Sequence, residues 1–266
     1  MKKTIYLRDE NFNWKSFEDY LKDVEKWAIE CKRLLKENGT LIYYGDSKKI
    51  AYSQIIFDKY FGLVSNVTIH IFDRQTNKIK IEDARGFINT TERFLMYGNG
   101  EDYHDNVRIA IKVIQDYLNK ITSVEKLALK MVENGICKNL NSAKANANNI
   151  LSQKSFKPQF ITEIQYNLIE GDKKKYEDLR REYEDLRRFF RPTEEFKMDV
   201  LRFSQEGHNT GQYDHPTVKP EKLTRYLIQT CSRENDLVVV PFAGSGTECA
   251  MALKEKRNFI GLEIEE

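Results

Sequence analysis

The stretch VVVPFAGSGTECA, residues 238–250, limits the fold more than any other part of this chain. A β-branched run reads as a buried strand, and a proline ends it. Gly-Ser-Gly then makes a tight turn, and ECAMALKEK continues as a helix. After the helix, NFIGLEIEE (258–266) reads as a second strand ending in acids. Strand, turn, helix and strand in this order form a βαβ unit, which requires neighbouring parallel strands with helices on the sheet's faces.

The turn also has the chemistry of a ligand cradle. Gly244 and Gly246 let the backbone approach a ligand closely, and the helix N-terminus offers amide donors. A phosphate-binding P-loop needs a lysine after its last glycine, and here Thr247 follows Gly246 directly. A dinucleotide fingerprint needs a third glycine where Cys249 stands. That match is therefore partial, and a nicotinamide-dependent oxidoreductase stays open beside a third reading, in which the same geometry holds another adenosine compound, S-adenosylmethionine. Glu263, 19 residues after Gly244, stands where an acid would accept hydrogen bonds from ribose hydroxyls. The alternative is an ordinary βαβ unit whose turn holds nothing.

The same alternation runs through the N-terminal part. Ser16-Phe-Glu-Asp19 reads as a capping box, and Phe17, Tyr20, Leu21, Val24, Trp27, Ala28, Cys31, Leu34 and Leu35 recur behind it at helical spacing. Asn38-Gly39 is expected to stop that helix through a left-handed residue. TIYL, TLIYYG (40–45), SNVTIHIF (65–72) and ERFLMYG (92–98) are strand candidates, with a helix at about 47–60 between the second and third. The expected fold is α/β, with parallel strands and helices on both faces.

After about residue 105 the pattern becomes helical. DNVRIAIKVIQDYLNKI (105–121) is one helix, Thr122-Ser-Val-Glu125 caps a second that runs to Asn134-Gly135, and a third is expected from about Ser142 to Ser152. Helix, glycine turn and helix outline a helix-turn-helix, whose second helix would present Lys144, Asn146, Asn148 and Asn149 to base edges. A plain helical hairpin with a solvated polar face fits the same residues. In the repeat YEDLRREYEDLRRFF (176–190), Tyr176, Leu179, Tyr183, Leu186 and Phe190 share one face, with arginines and acids on the other. Residues 122–192 carry 14 Lys and Arg against 10 Asp and Glu, a mild lean toward a polyanionic partner.

Composition narrows the class. With 32% charged and 40% hydrophobic residues, and no apolar run long enough for a membrane span, no membrane role is expected. The start MKKTIYLRDE lacks a signal peptide's apolar core, and the four scattered cysteines suit free thiols in a reducing cytoplasm. The cysteines and the four dispersed histidines form no metal-ligand spacing, so no metal is expected.

HPTVKPEKLTRYLIQTCSRENDLVVVPFAGSGT (215–247) resembles the amino-methylating DNA methyltransferases. In that family a His-Pro-Thr-x-Lys-Pro segment opens a helix, and a Pro-Phe-x-Gly-Ser-Gly-Thr loop follows about two dozen residues later. WAIECKRLLKENGTLIYYG (27–45) and TTERFLMYGNG (90–100) look like further core segments, and the repeat is similar to one common in bacterial and phage adenine methylases. The order resembles the β arrangement. It implies a catalytic half over 1–104 that is incomplete at its N-terminus, a helical recognition insert over 105–200, and a cofactor half over 201–266. It further implies S-adenosylmethionine as cofactor, held by Pro241, Phe242, Ala243, Gly244, Ser245, Gly246 and Thr247. His215, Pro216, Thr217, Lys219 and Pro220 would flank its methionine end, and Glu263 would hold the ribose. The implied substrate is double-stranded DNA, with adenine N6, ahead of cytosine N4, as target in a base flipped from the duplex. A second methyltransferase chain, identical or not, is an expected partner.

The sequence departs from the pattern at the catalytic loop. The family's Asp-Pro-Pro-Tyr is absent, and none of the five prolines is adjacent to another. The nearest counterpart is Asp9-Glu-Asn-Phe12, in which Asp9 would accept a hydrogen bond from the target amino group and Phe12 would stack on the base. Val240 stands where the family has an aspartate. A catalytically impaired relative, serving as the DNA-binding or partner subunit of an active methylase, is the alternative.

Overall fold

The computed structural model describes residues 3–8, 16–45, 48–71, 91–100, 105–193, 198–203 and 218–263. The chain divides into two compact units: Met1–Tyr103 with Phe189–Glu266, and His104–Arg188.

The first unit is built on a seven-stranded sheet. Its strands are β1 (Lys3–Arg8), β2 (Thr40–Gly45), β3 (Gly62–Ile71), β4 (Thr91–Gly98), β5 (Val200–Phe203), β6 (Leu237–Val240) and β7 (Asn258–Gly261), in the spatial order β5-β3-β4-β2-β1-β6-β7. β1 pairs in parallel with both β2 and β6, and β6 in parallel with β7. The expectation of parallel strands throughout fails at β4, which runs antiparallel to both β2 and β3. Alternation of side chains decides which face a residue occupies, and says nothing of strand direction.

β2 and β6 are buried on both faces, and their sequences show why. In β2, Leu41 and Tyr43 enter one core while Ile42 and Tyr44 enter the other. Leu237 and Val239 of β6 likewise join the first, and Val238 and Val240 the second. The first core is closed by α1 (Phe17–Leu34), through Tyr20, Val24, Ala28 and Cys31, and by α2 (Ile50–Phe57). The second is closed by α8 (Glu221–Cys231) and α9 (Thr247–Lys254), with Leu223, Leu227, Ile228, Met251 and Ala252. Strands covered on both faces read as continuous apolar runs, as LVVV does.

Helix ends follow local chemistry. Ser16 caps α1 as expected, its hydroxyl accepting a hydrogen bond from Asp19 N at 3.1 Å. The helix stops without the expected left-handed residue. Leu35 is already extended, and neither Asn38 nor Gly39 has a positive φ. The turn that follows is closed by Gly39 N donating to Lys36 O.

The second unit is helical: α3 (Asp105–Ile121), α4 (Val124–Glu133), α5 (Leu140–Leu151), α6 (Glu163–Asn167) and α7 (Tyr176–Leu186). The cap of α4 is Ser123 rather than Thr122, and α5 begins earlier than expected because Asn139 accepts from Ser142 N at 2.9 Å. Leu118, Leu127, Met131, Ala147, Ile150 and Leu179 share its core. α7 ends at Leu186, so Phe190 does not continue the face of Tyr176, Leu179 and Tyr183. Of the residues assigned to the insert on sequence, the described ones at 189–193 and 198–200 group with the sheet unit. Arg191 N donates to Thr230 O, and Val200 begins a strand that pairs with Thr68 of β3.

One close approach locks α9 onto the sheet. A Cβ on Gly261 of β7 would stand 2.7 Å from Cys249 Sγ and 3.4 Å from the Ala243 Cβ. Gly261→Ala is therefore expected to destabilise the protein by about 1–3 kcal/mol in urea unfolding, the usual cost of overpacking. In a double-mutant cycle with Cys249→Ala the loss should be partly recovered. Strictly additive losses would mean that the sulfur is not the constraint.

Candidate functional site

From β1 the chain moves through α1 to β2 on one side; from β6 it moves through α9 to β7 on the other. The two crossovers use opposite faces, since α1 and α9 belong to different cores. The strand order therefore reverses between β1 and β6. In open α/β sheets the crevice beyond the strands' carboxyl ends at such a switch point is where ligands bind. The Pro241–Thr247 loop leaves β6 at that point.

The loop's conformation depends on its glycines. Gly244 has φ 51° and Gly246 φ 71°, both in the left-handed region that costs other residues steric strain. Gly246 N donates to Ala243 O at 2.8 Å, and Gly246 then serves as the N-cap of α9 with no side-chain cap on that helix. No heavy atom beyond its chain neighbours lies within 4 Å of where a Gly246 Cβ would stand, so the turn faces open space. The Ser245 and Thr247 hydroxyls hydrogen-bond to one another at 2.8 Å. Phe242 is turned toward the sheet, its ring edge-on to Trp27 of α1 at 5.1 Å.

Glu263 reaches this loop. Its carboxylate accepts a hydrogen bond from Gly244 N at 2.5 Å, across 19 residues of sequence. Ala243 N donates to Leu262 O at 2.8 Å, and Leu262 N to Val240 O at 2.9 Å, so the segment after β7 is laced to the loop. Cys249, where a dinucleotide fingerprint has its third glycine, lies in the first turn of α9. The tight helix–strand approach that such a glycine permits is supplied from the other side by Gly261. Burial pushes the Cys249 thiol up, which keeps it protonated and unreactive.

Lys219 and Pro220 precede α8, with Pro220 as its N-cap. Lys219 is 7% exposed, its ammonium 2.7 Å from Glu92 Oε2 of β4 and 4.8 Å above the Tyr44 ring of β2. Glu92 and Trp27 are site neighbours that sequence reasoning missed. Glu92 lies 127 residues from its partner, and no local pattern marks it. His215, Pro216, Thr217, Asp9 and Phe12 lie outside the described residues.

In the helical unit, Lys144 and Asn148 share an exposed face of α5 one turn apart. Asn146 is half-buried, with its amide 4.0 Å from Cys137 Sγ. Asn149 faces inward to the next turn, where its side-chain oxygen accepts from the Ser155 hydroxyl at 2.7 Å. Among the described residues no group of three or more His, Cys, Asp or Glu could hold a metal ion, and no helix is long and apolar enough to cross a membrane.

Comparison with known proteins agrees with this architecture. The type II methyltransferase M.HpaI of Haemophilus parainfluenzae is 23% identical over 256 residues, which is 96% of this chain and 58% of that protein. The DNA adenine methyltransferase YhdJ of Escherichia coli K12 is 49% identical over 51 residues, 19% of this chain and 17% of that one. The chain thus spans about half of M.HpaI and a much smaller share of YhdJ. Among solved structures, M1.HpyAVI in complex with SAM superposes with a TM-score of 0.55 at 14% identity, over 100% of this chain and 83% of that one. The cytosine-N4-specific PvuII DNA methyltransferase gives 0.53 at 12% identity, over 99% and 76%. The fold is the class I methyltransferase fold, with a helical unit set into the chain between β4 and β5. The family model for N6/N4 DNA methylases matches residues 4–266, and the chain belongs to that family.

Proposed function

We propose that this chain binds S-adenosylmethionine beyond β6 and methylates an exocyclic amino group of a flipped base in double-stranded DNA, adenine N6 being the target. The observation that carries the reading is the Pro241–Thr247 loop at the switch point, with two left-handed glycines, Gly246 facing open space and Gly244 tied to Glu263. The local match to YhdJ favours adenine over cytosine.

The residues fit the cofactor. The start of α9, which no side chain caps, would receive its polar groups, and the Glu263 carboxylate, already oriented by Gly244 N, would accept from ribose hydroxyls. Lys219, fixed by Glu92, would anchor the segment holding His215, Pro216 and Thr217 at the methionine end. The cofactor would supply an electrophilic methyl group on a sulfonium. The chain's own contribution is then mainly position: holding the target nitrogen in line and accepting its hydrogen bond, the role open to Asp9, while Phe12 stacks on the base. The helical unit would serve as the target-recognition insert, with Lys144 and Asn148 on the DNA-facing side of α5. Asn146 and Asn149 would support that helix from behind.

A second reading is favoured by one observation. Without an Asp-Pro-Pro-Tyr loop, the chain would act as the DNA-binding partner of an active methylase, identical or not. Titration calorimetry with S-adenosylmethionine, followed by methyl transfer to mixed-sequence duplex and nucleoside mass spectrometry, separates the two. Saturable binding that Gly246→Asp abolishes, together with N6-methyladenine formation, is the expected outcome. Binding without transfer selects the partner-subunit reading, and no binding by the folded chain sinks the cofactor assignment. For the DNA side, Lys144→Ala is expected to flatten the plot of log affinity against log salt by about one unit of slope, as for one lost phosphate contact. An unchanged slope would remove α5 from the interface.

A further inference from the structure

The most exposed large apolar side chain among the described residues is Phe156, at 95%. A single exposed hydrophobic is ordinary on a protein surface. This one sits on a loop that is tied down on every side. The Ser155 hydroxyl, on a residue only 6% exposed, donates to Asn149 Oδ1 at 2.7 Å and accepts from Lys157 N at 3.2 Å. Lys154 N donates to the Ser152 hydroxyl at 3.2 Å, and Gln159 N to Asn149 O at 2.9 Å. From α3, Gln115 holds the Ser152 carbonyl at 3.2 Å, Asn119 the Leu151 carbonyl at 3.0 Å, and Asp116 accepts from the Gln153 amide at 2.7 Å. These bonds fix the backbone from which the Phe156 ring stands out into solvent.

The charges beside it indicate the occupant. Lys154 and Lys157 flank Phe156, both are exposed, and among the described residues neither ammonium is paired with a carboxylate. An apolar wedge between two unneutralised cations matches a duplex, with stacked bases between two phosphate backbones. We propose that Phe156 inserts between base pairs of bound duplex DNA while Lys154 and Lys157 sit on the flanking phosphates. The proposal rests on the DNA reading above and adds to it the residue that deforms the duplex. Asn149 then acts as the anchor that holds the wedge upright.

Two measurements on the full-length chain test this: anisotropy of a labelled mixed-sequence duplex over a salt series, and unwinding of closed circular plasmid relaxed by a topoisomerase. Phe156→Ala is expected to lose about tenfold in duplex affinity, the scale of one lost stacking contact, with the salt slope unchanged and plasmid unwinding abolished. Phe156→Leu, still an apolar wedge, should recover much of both. Lys154→Ala and Lys157→Ala should each reduce the slope by about one. If Phe156→Ala binds and unwinds like the parent, the wedge is wrong although the DNA reading stands. If the parent binds duplex but never unwinds plasmid, insertion is likewise excluded. Failure of the folded parent to bind duplex at all would overturn the underlying reading, and the wedge with it. Phe156 is almost wholly exposed, so its substitution leaves the core untouched, and circular dichroism checks that.

Discussion

The parallel pairing of β1 with both β2 and β6 is the constraint on which the rest of the sheet unit depends. A strand paired on both edges, at the point where the chain turns outward in opposite directions, forces one crossover helix onto each face. Each face must then be apolar, and the alternation of Leu41 and Tyr43 against Ile42 and Tyr44 supplies both. The same reversal opens a crevice beyond the carboxyl ends, and the loop after β6 has no other place to lie.

Close packing then decides what that loop can be. Gly261 brings β7 against Cys249, which draws α9 down onto the sheet and lets Leu262 and Glu263 lace back to Ala243 and Gly244. The acid is held by the loop it helps to build, so its orientation needs no ligand. On the far side, the part-buried pair of Lys219 and Glu92 fixes the start of α8 to the antiparallel strand. Burying such a pair gains little net stability, because desolvation offsets the attraction. Its value is that the lysine can occupy one place only.

The helical unit divides its polar residues between two tasks. Lys144 and Asn148 face solvent, whereas Asn149 and Ser155 spend their hydrogen bonds inside the loop that carries Phe156. A polar residue on α5 can thus act through what it holds. The i, i+4 spacing on α5 separates the exposed face from the inward one, though the asparagines look alike in sequence.

How much was legible follows from the range of each interaction. The strand, turn and helix at 237–254, the limits of β2 and α3, and the cap at Ser16 were readable because each depends on residues a few positions apart. The glycines of the 241–247 loop were readable for the same reason, since left-handed backbone leaves a local signature. The direction of β4, the pairing of β5 with β3, the contact of Trp27 with Phe242 and the ion pair between Lys219 and Glu92 were not. Each joins segments tens of residues or more apart, and the periodicity that reveals a strand's two faces is identical for either direction. By itself the sequence determined the alternation of buried faces along the central strands and helices, and where the backbone must bend. Only the tertiary structure decided which buried faces meet, because that choice is made by packing among distant segments.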